Sequence, residues 1–172
     1  MRYLFICLLA GCLLACNPEK ENDGQIPPAI EELQKDVADI EAMLNSKPIF
    51  HASPDPTRAD TPFSEAVQAG NLYFLSGQIG RDPKTKKLAE GGIRAETRQC
   101  LENIKAVLAN HGLEMKDVVK ALVILDDIGD FAAFNEIYRE YLPQKPARTT
   151  FAAEALAVGA KIEIEVTAVK PE

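Results

Sequence analysis

The chain has 172 residues, room for one ordinary domain and a short extension. Its 26 acidic and 19 basic residues leave a net charge of −7, which argues against a nucleic-acid binder and against adsorption to anionic lipid by charge. Cys7, Cys12 and Cys16 fall in the first 16 residues, so the rest of the chain holds one thiol, Cys100, too few for an internal disulfide framework or a cysteine-based zinc site.

The N-terminus reads as an address. Arg2 precedes an apolar run from Leu4 to Ala15, the pattern of a secretory signal over residues 1–15. The run is shorter than the ~20 residues that span a bilayer. It ends in Leu13-Leu14-Ala15-Cys16, which resembles a bacterial lipobox with Cys16 as the lipidated residue. Leu9-Ala10-Gly11-Cys12 also matches, but would leave a very short apolar core before it. Acyl chains on Cys16 would hold the protein firmly on the extracytoplasmic side of a cell or outer membrane, since each buried CH₂ adds about 0.8 kcal/mol. An ordinary cleaved signal and an unanchored protein is the plainer alternative. Residues 16–28 are polar after the cysteine, end in Pro27-Pro28 and read as a tether. In residues 29–47, Ile30, Leu33, Val37, Ile40 and Leu44 recur at spacings of 3 and 4, an amphipathic helix with a heptad stripe. It is either a stem that zips with copies of itself or a single helix on the domain surface.

Residues 48–172 carry the elements of one domain. Ile49-Phe50-His51 suits a short strand, and Pro54, Pro56 and Pro62 make residues 52–62 a loop. Phe63 to Ala69 and Leu72 to Gln78 read as strands joined by a Gly70-Asn71 turn. Residues 93–110 form a helix with Ile93, Thr97, Cys100, Leu101, Ile104, Val107 and Leu108 on one face, and His111-Gly112 closes it with a cation and a C-cap. Val118 to Leu125 is a strand. Residues 128–142 are a second helix with Phe131, Phe134, Ile137, Tyr138 and Tyr141 inward. Thr149 to Ala155 and Lys161 to Val169 are the last strands. In the final one Ile162, Ile164 and Val166 point one way and Glu163, Glu165 and Thr167 the other. The order predicts an α+β sandwich with both helices on one face of the sheet, and burial of the other face against copies of the same chain would close an oligomer. His51 and His111 read as a strand-edge and a helix-end residue without partners at ligand spacing. Cys100 reads as an inert core thiol.

In order along the domain stand Gly70-Asn71-Leu72-Tyr73-Phe74-Leu75-Ser76-Gly77-Gln78, Gln99-Cys100-Leu101-Glu102-Asn103-Ile104, Phe134-Asn135-Glu136-Ile137-Tyr138, Pro146-Ala147-Arg148 and Lys161-Ile162-Glu163-Ile164-Glu165. With these motifs the chain resembles the RidA/YjgF family of enamine/imine deaminases over about residues 49–170. The resemblance implies a chorismate-mutase-like α+β fold with a mixed sheet, homotrimers with clefts between subunits, and hydrolysis of 2-enamine or 2-imine acids to 2-oxo acids and ammonia. It implies neither metal nor cofactor.

By the same resemblance, Arg148 would clamp a substrate carboxylate, for which a permanently charged, two-pronged guanidinium is suited. A structural ion pair with Glu163 or Glu165 is the alternative. Glu163 would hold and activate water, the alternative being a sheet-face charge paired across a subunit interface; Glu165 reads as structural. Ser76, Gly77, Phe63, Thr150 and Asn135 would line the pocket, though Ser76 and Gly77 also suit turn chemistry and Asn135 a solvated helix position. The family often has Tyr where Phe63 stands and Cys where Thr150 stands. Phe63 keeps the ring wall, and Thr150 keeps a backbone N–H able to bind a carboxylate. A trimer of this fold that binds small carboxylates or a protein without turnover is the rival function, and a purely structural trimer a third.

Overall fold

The structure, a computed structural model, describes residues 26–44 and 47–171, which divide into two units at Met43/Leu44. The signal segment, Cys12, Cys16 and most of the tether lie outside the described residues. Helix α1, Pro28–Leu44, carries Pro28 at its first position, where the missing N–H costs nothing. Its stripe residues Ile30, Leu33, Val37 and Ile40 are exposed. Among the described residues no helix is long and apolar enough to cross a membrane.

The second unit is a six-stranded sheet: β1 (Ile49–His51), β2 (Ala66–Ala69), β3 (Leu72–Ile79), β4 (Val118–Leu125), β5 (Ala147–Ala152) and β6 (Ile162–Val169), in the order β1-β2-β3-β6-β4-β5. All neighbours are antiparallel except β4 and β5, so the sheet is mixed. The crossover that makes them parallel is helix α3, Phe131–Tyr141, while α2, Ile93–Asn110, links β3 to β4.

The predicted inward face of α2 is buried throughout, and Leu101, Ile104 and Leu108 are fully enclosed. It packs on Leu75, Val123, Ile162, Ile164 and Val166, every second residue of the central strands. The predicted alternation of the last strand holds: Ile162, Ile164 and Val166 face the helices. The opposite face carries Phe50, Phe74 and Phe151, each at least 44% exposed, with Glu163 and Glu165 between them in register. The α+β sandwich with both domain helices on one face is therefore the observed architecture.

Several boundaries differ from expectation for local reasons. Phe63 is half exposed and lies in the loop between β1 and β2, because β2 begins only at Ala66. Asp127 caps a 3-10 turn at Ile128–Asp130 by accepting from the Gly129 N–H, so α3 starts at Phe131 rather than 128. Phe131 is 41% exposed instead of inward. Lys145 takes a positive φ of 57° before Pro146, and the chain enters β5 at Ala147, two residues early. Gly70 takes φ 62° in the β2–β3 turn, as that turn requires.

His51 and His111 are not isolated. Their rings lie 4.6 Å apart, each beside Tyr73. Burial first, then the neighbouring His51, pushes the His111 pKa below its ordinary 6.5, so this helix end carries an imidazole kept from charging. Cys100 is the core thiol expected: its Sγ donates to the Gln78 carbonyl at 3.0 Å, and burial pushes its pKa up.

Candidate functional site

Edge strand β5 projects Arg148 and Thr150 toward the helices. In register Arg148 sits level with Ala121, Val166 and Leu75, all buried on that face. Its guanidinium reaches α3. One Nη donates to the Asn135 Oδ1 at 2.8 Å, and the Asn135 amide donates in turn to the Phe131 carbonyl at 2.8 Å, which fixes the acceptor's direction. Three rings surround the cation, Tyr138 at 4.7 Å, Phe134 at 5.0 Å and Phe131 at 5.7 Å. Each such contact contributes about 0.5–2 kcal/mol depending on desolvation. The result is a half-buried, immobilised guanidinium with most of its five N–H groups unspent. Among the described residues its partners are Asn135 and the rings, not Glu163 or Glu165.

The Tyr138 hydroxyl is buried beside Arg148 without a hydrogen bond of good geometry; burial raises its pKa, and the guanidinium opposes that. The Thr150 hydroxyl is also buried and has no hydrogen-bond partner among the described residues, so this side chain acts as wall, not as donor to solvent.

The second group forms on the opposite face of the sheet. β3 bulges between Leu75 and Gln78, and the residues of the bulge are Ser76 and Gly77. The Glu163 carboxylate on β6 lies directly over Gly77, and a Cβ there would overlap its Oε1. Glycine here lets the carboxylate lie against the backbone; a larger residue would push the Glu163 side chain aside. Burial, with a smaller push from the Glu165 charge, raises the Glu163 pKa above the usual carboxylate value. Ser76 is held, not free: its hydroxyl donates to the Ser64 carbonyl at 2.7 Å and its N–H to the Glu65 carbonyl at 3.1 Å. Those bonds tie the bulge to the loop that carries Phe63.

The seven predicted residues therefore separate into two clusters. Arg148, Asn135 and Thr150 stand on the helix face at the β5 edge. Ser76, Gly77 and Glu163, with Phe63 on the adjoining loop, stand on the open side. Sequence reasoning took Phe131, Phe134 and Tyr138 as core and missed that they box the guanidinium. Their spacing around Asn135 was the available signal, since residues three or four apart share one helix face.

Against known proteins, the profile described as Endoribonuclease L-PSP matches residues 53–170. The chain belongs to that family. A RutC family protein of Pyrococcus horikoshii is 47% identical over 110 residues, 63% of this chain and 87% of that one. The human 2-iminobutanoate/2-iminopropanoate deaminase is 41% identical over 110 residues, 63% of this chain and 80% of that one. Among solved structures, E. coli TdcF with bound serine is 32% identical, superposes with a TM-score of 0.62, and covers 66% of this chain and 91% of its own. The RidA/YjgF resemblance seen in the motifs is thus the Endoribonuclease L-PSP family, and its fold is this mixed sheet with helices on one side.

Proposed function

We propose that the protein hydrolyses reactive 2-enamine and 2-imine acids to 2-oxo acids and ammonia. The observation that carries this reading is the pair of preset groups: an unspent guanidinium boxed by three rings, and a carboxylate with a raised pKa over a glycine bulge. The 41% identity to a human protein named for that activity supports it. A relative's structure with bound serine, a small amino acid bearing a carboxylate, is consistent with it.

Arg148 and Glu163 leave opposite faces of one sheet, so a single chain does not bring them onto one small acid. We place the Arg148 cluster of one protomer against the Glu163 cluster of another, in a homotrimer that also covers Phe50, Phe74 and Phe151. In that cleft Arg148 takes the substrate carboxylate by two parallel hydrogen bonds, helped by the Thr150 backbone N–H, and Phe63 walls the pocket. An enamine first takes a proton at its β-carbon and becomes the imine. Glu163 then accepts a proton from water as the water oxygen bonds to the C=N carbon. That proton passes to nitrogen and gives the carbinolamine; Glu163 then relays the carbinolamine hydroxyl proton to the nitrogen as the C–N bond breaks, so the C=O of the 2-oxo acid forms and ammonia leaves. A carboxylate whose pKa is raised is a stronger base for such transfers, and burial raises that of Glu163.

Residues 1–16 support a membrane-tethered location through Cys16, and Cys16→Ser moving the protein to the soluble fraction would test that. The deaminase reading is tested by generating 2-iminopropanoate in situ and following its loss with wild type and Arg148→Ala. Equal rates would defeat it. Binding of 2-oxobutanoate without imine turnover would favour the carboxylate-binding trimer instead.

A further inference from the structure

The loop before β2 forms an open pocket of about 290 Å³ whose walls include Ser53, Arg58, Thr61, Pro62, Phe63 and Ser64. It lies at the small end of the range for ligand pockets. Arg58 is the one charged side chain in that lining. Its guanidinium stacks over the Phe63 ring at 5.8 Å and stands 3.8 Å from the Glu65 Oε1. Glu65 is 5% exposed and already accepts from the Ser53 hydroxyl at 2.9 Å and, more weakly, from the Asn110 amide at 3.5 Å. Its charge is therefore partly met without Arg58. The loop's other engaged acid, Asp55, is bound to Lys86 and Thr57. Among the described residues the Arg58 side chain forms this ion pair and ring contact but no hydrogen bond. It is a half-exposed cation, oriented by a ring and a buried carboxylate, with its N–H groups still available.

One residue links the pocket to the Glu163 bulge. Ser64 lines it, and the Ser64 carbonyl accepts the Ser76 hydroxyl of the Glu163 bulge. A substrate whose carbon is at Glu163 would extend its side chain past Phe63 toward this space.

We propose that Arg58 is a second anion clamp, which selects 2-imino acids bearing a carboxylate on the side chain. The idea rests on the deaminase reading and deepens it: Arg148 holds the first carboxylate and Arg58 the distal one. No step of the chemistry changes. Only the substrate class narrows, from small monocarboxylic imines to imino dicarboxylates of four or five carbons. Both guanidinium groups suit carboxylate pairs, and a charge-assisted bond made in a half-buried wall corresponds to about tenfold in affinity or more.

The test is calorimetric titration of the full-length protein with 2-oxopentanedioate and with 2-oxobutanoate, stable analogues of the two product classes, alongside turnover of the matching imines. Wild type is expected to bind the dicarboxylate about tenfold more tightly, and Arg58→Gln to bring the two within about twofold while binding 2-oxobutanoate as wild type does. Arg58→Lys should restore part of the preference through charge alone. Binding of 2-oxobutanoate for both variants is the internal control for folding. If the monocarboxylate binds and its imine turns over but the dicarboxylate has no advantage, the Arg58 assignment falls and the deaminase reading stands. If the dicarboxylate preference depends on Arg58 but neither imine turns over, the anion clamp stands and the catalytic reading falls. If neither acid binds and neither imine turns over, both fall; if the imines turn over at equal rates in wild type and Arg58→Gln, only the Arg58 assignment falls.

Discussion

The two faces of the sheet are built on opposite terms. The helix face is finished within one chain: α2 and α3 cover it, and where they stop, at the β5 edge, three rings and Asn135 hold Arg148 in place. The open face is unfinished. Phe50, Phe74 and Phe151 are exposed there, and Glu163 is only partly shielded. The lesson is that a cation can be preorganised by local packing, because rings and an amide suffice. A carboxylate is raised in pKa by burial, and on this side the described residues bury Glu163 only in part.

The strongest way to break this comparison is to remove each charge in turn. Glu163→Gln should lower kcat by about 10²–10⁴ with KM little changed, because it removes the base and not the clamp. Arg148→Ala should lower kcat/KM by about 10²–10³, and Arg148→Lys should recover little of it, since the two-pronged geometry is lost. Steady-state rates on 2-iminopropanoate check both, and a Glu163→Gln enzyme with wild-type kcat would end the catalytic role of that residue. The sign of the pH effect follows from the raised pKa. The active form is the carboxylate, so wild-type kcat falls as pH drops through a value above the ordinary 4.5. That acid limb should be absent from the residual rate of Glu163→Gln.

A sharper version mixes the variants. If one protomer supplies Arg148 and another Glu163, unfolding and reassembling equal amounts of Arg148→Ala and Glu163→Gln restores about a quarter of the sites, because each trimer interface draws its halves at random. Two groups acting within one chain would restore none. Gly77→Ala should act on the open face alone: its Cβ displaces the Glu163 carboxylate, lowering kcat while a carboxylate ligand still binds through Arg148.

The smaller effects concern stability and assembly. His111 is held neutral by burial against His51, so its native pKa lies below the unfolded value and the unfolded chain binds more protons in that window. The midpoint of thermal unfolding should therefore fall as pH drops below about 6.5, Glu65 opposing the trend, and the slope should lessen in His111→Asn. Deleting residues 17–47 should leave the oligomer intact in sizing chromatography. A monomer would shift the burden of assembly from the open sheet face to α1.

Much of this was legible in the residues. The bounds of α2 and of β4 follow from periodicity, because burial of one face repeats a local pattern. The alternation of Ile162, Glu163, Ile164 and Glu165 told which side of β6 would be dry. Less legible was where α3 begins, because the Asp127 cap competes with the helix for the same residues. The double use of Phe134 and Tyr138, as core and as walls of a cationic box, was hidden because a helical stripe looks the same in either role.

What the chain determined by itself is the order of its elements, the family and the identity of the groups able to do chemistry, since these depend on neighbours within a few turns or strands. Which of those groups meet was decided only in three dimensions. Strand register sent Arg148 and Glu163 to opposite faces and the β3 bulge brought Gly77 under a carboxylate, while the loop turned Arg58 toward a cavity no spacing foretold. The reason is that side-chain direction alternates residue by residue. A contact between distant strands is therefore set by register and bulges, which short-range patterns leave open.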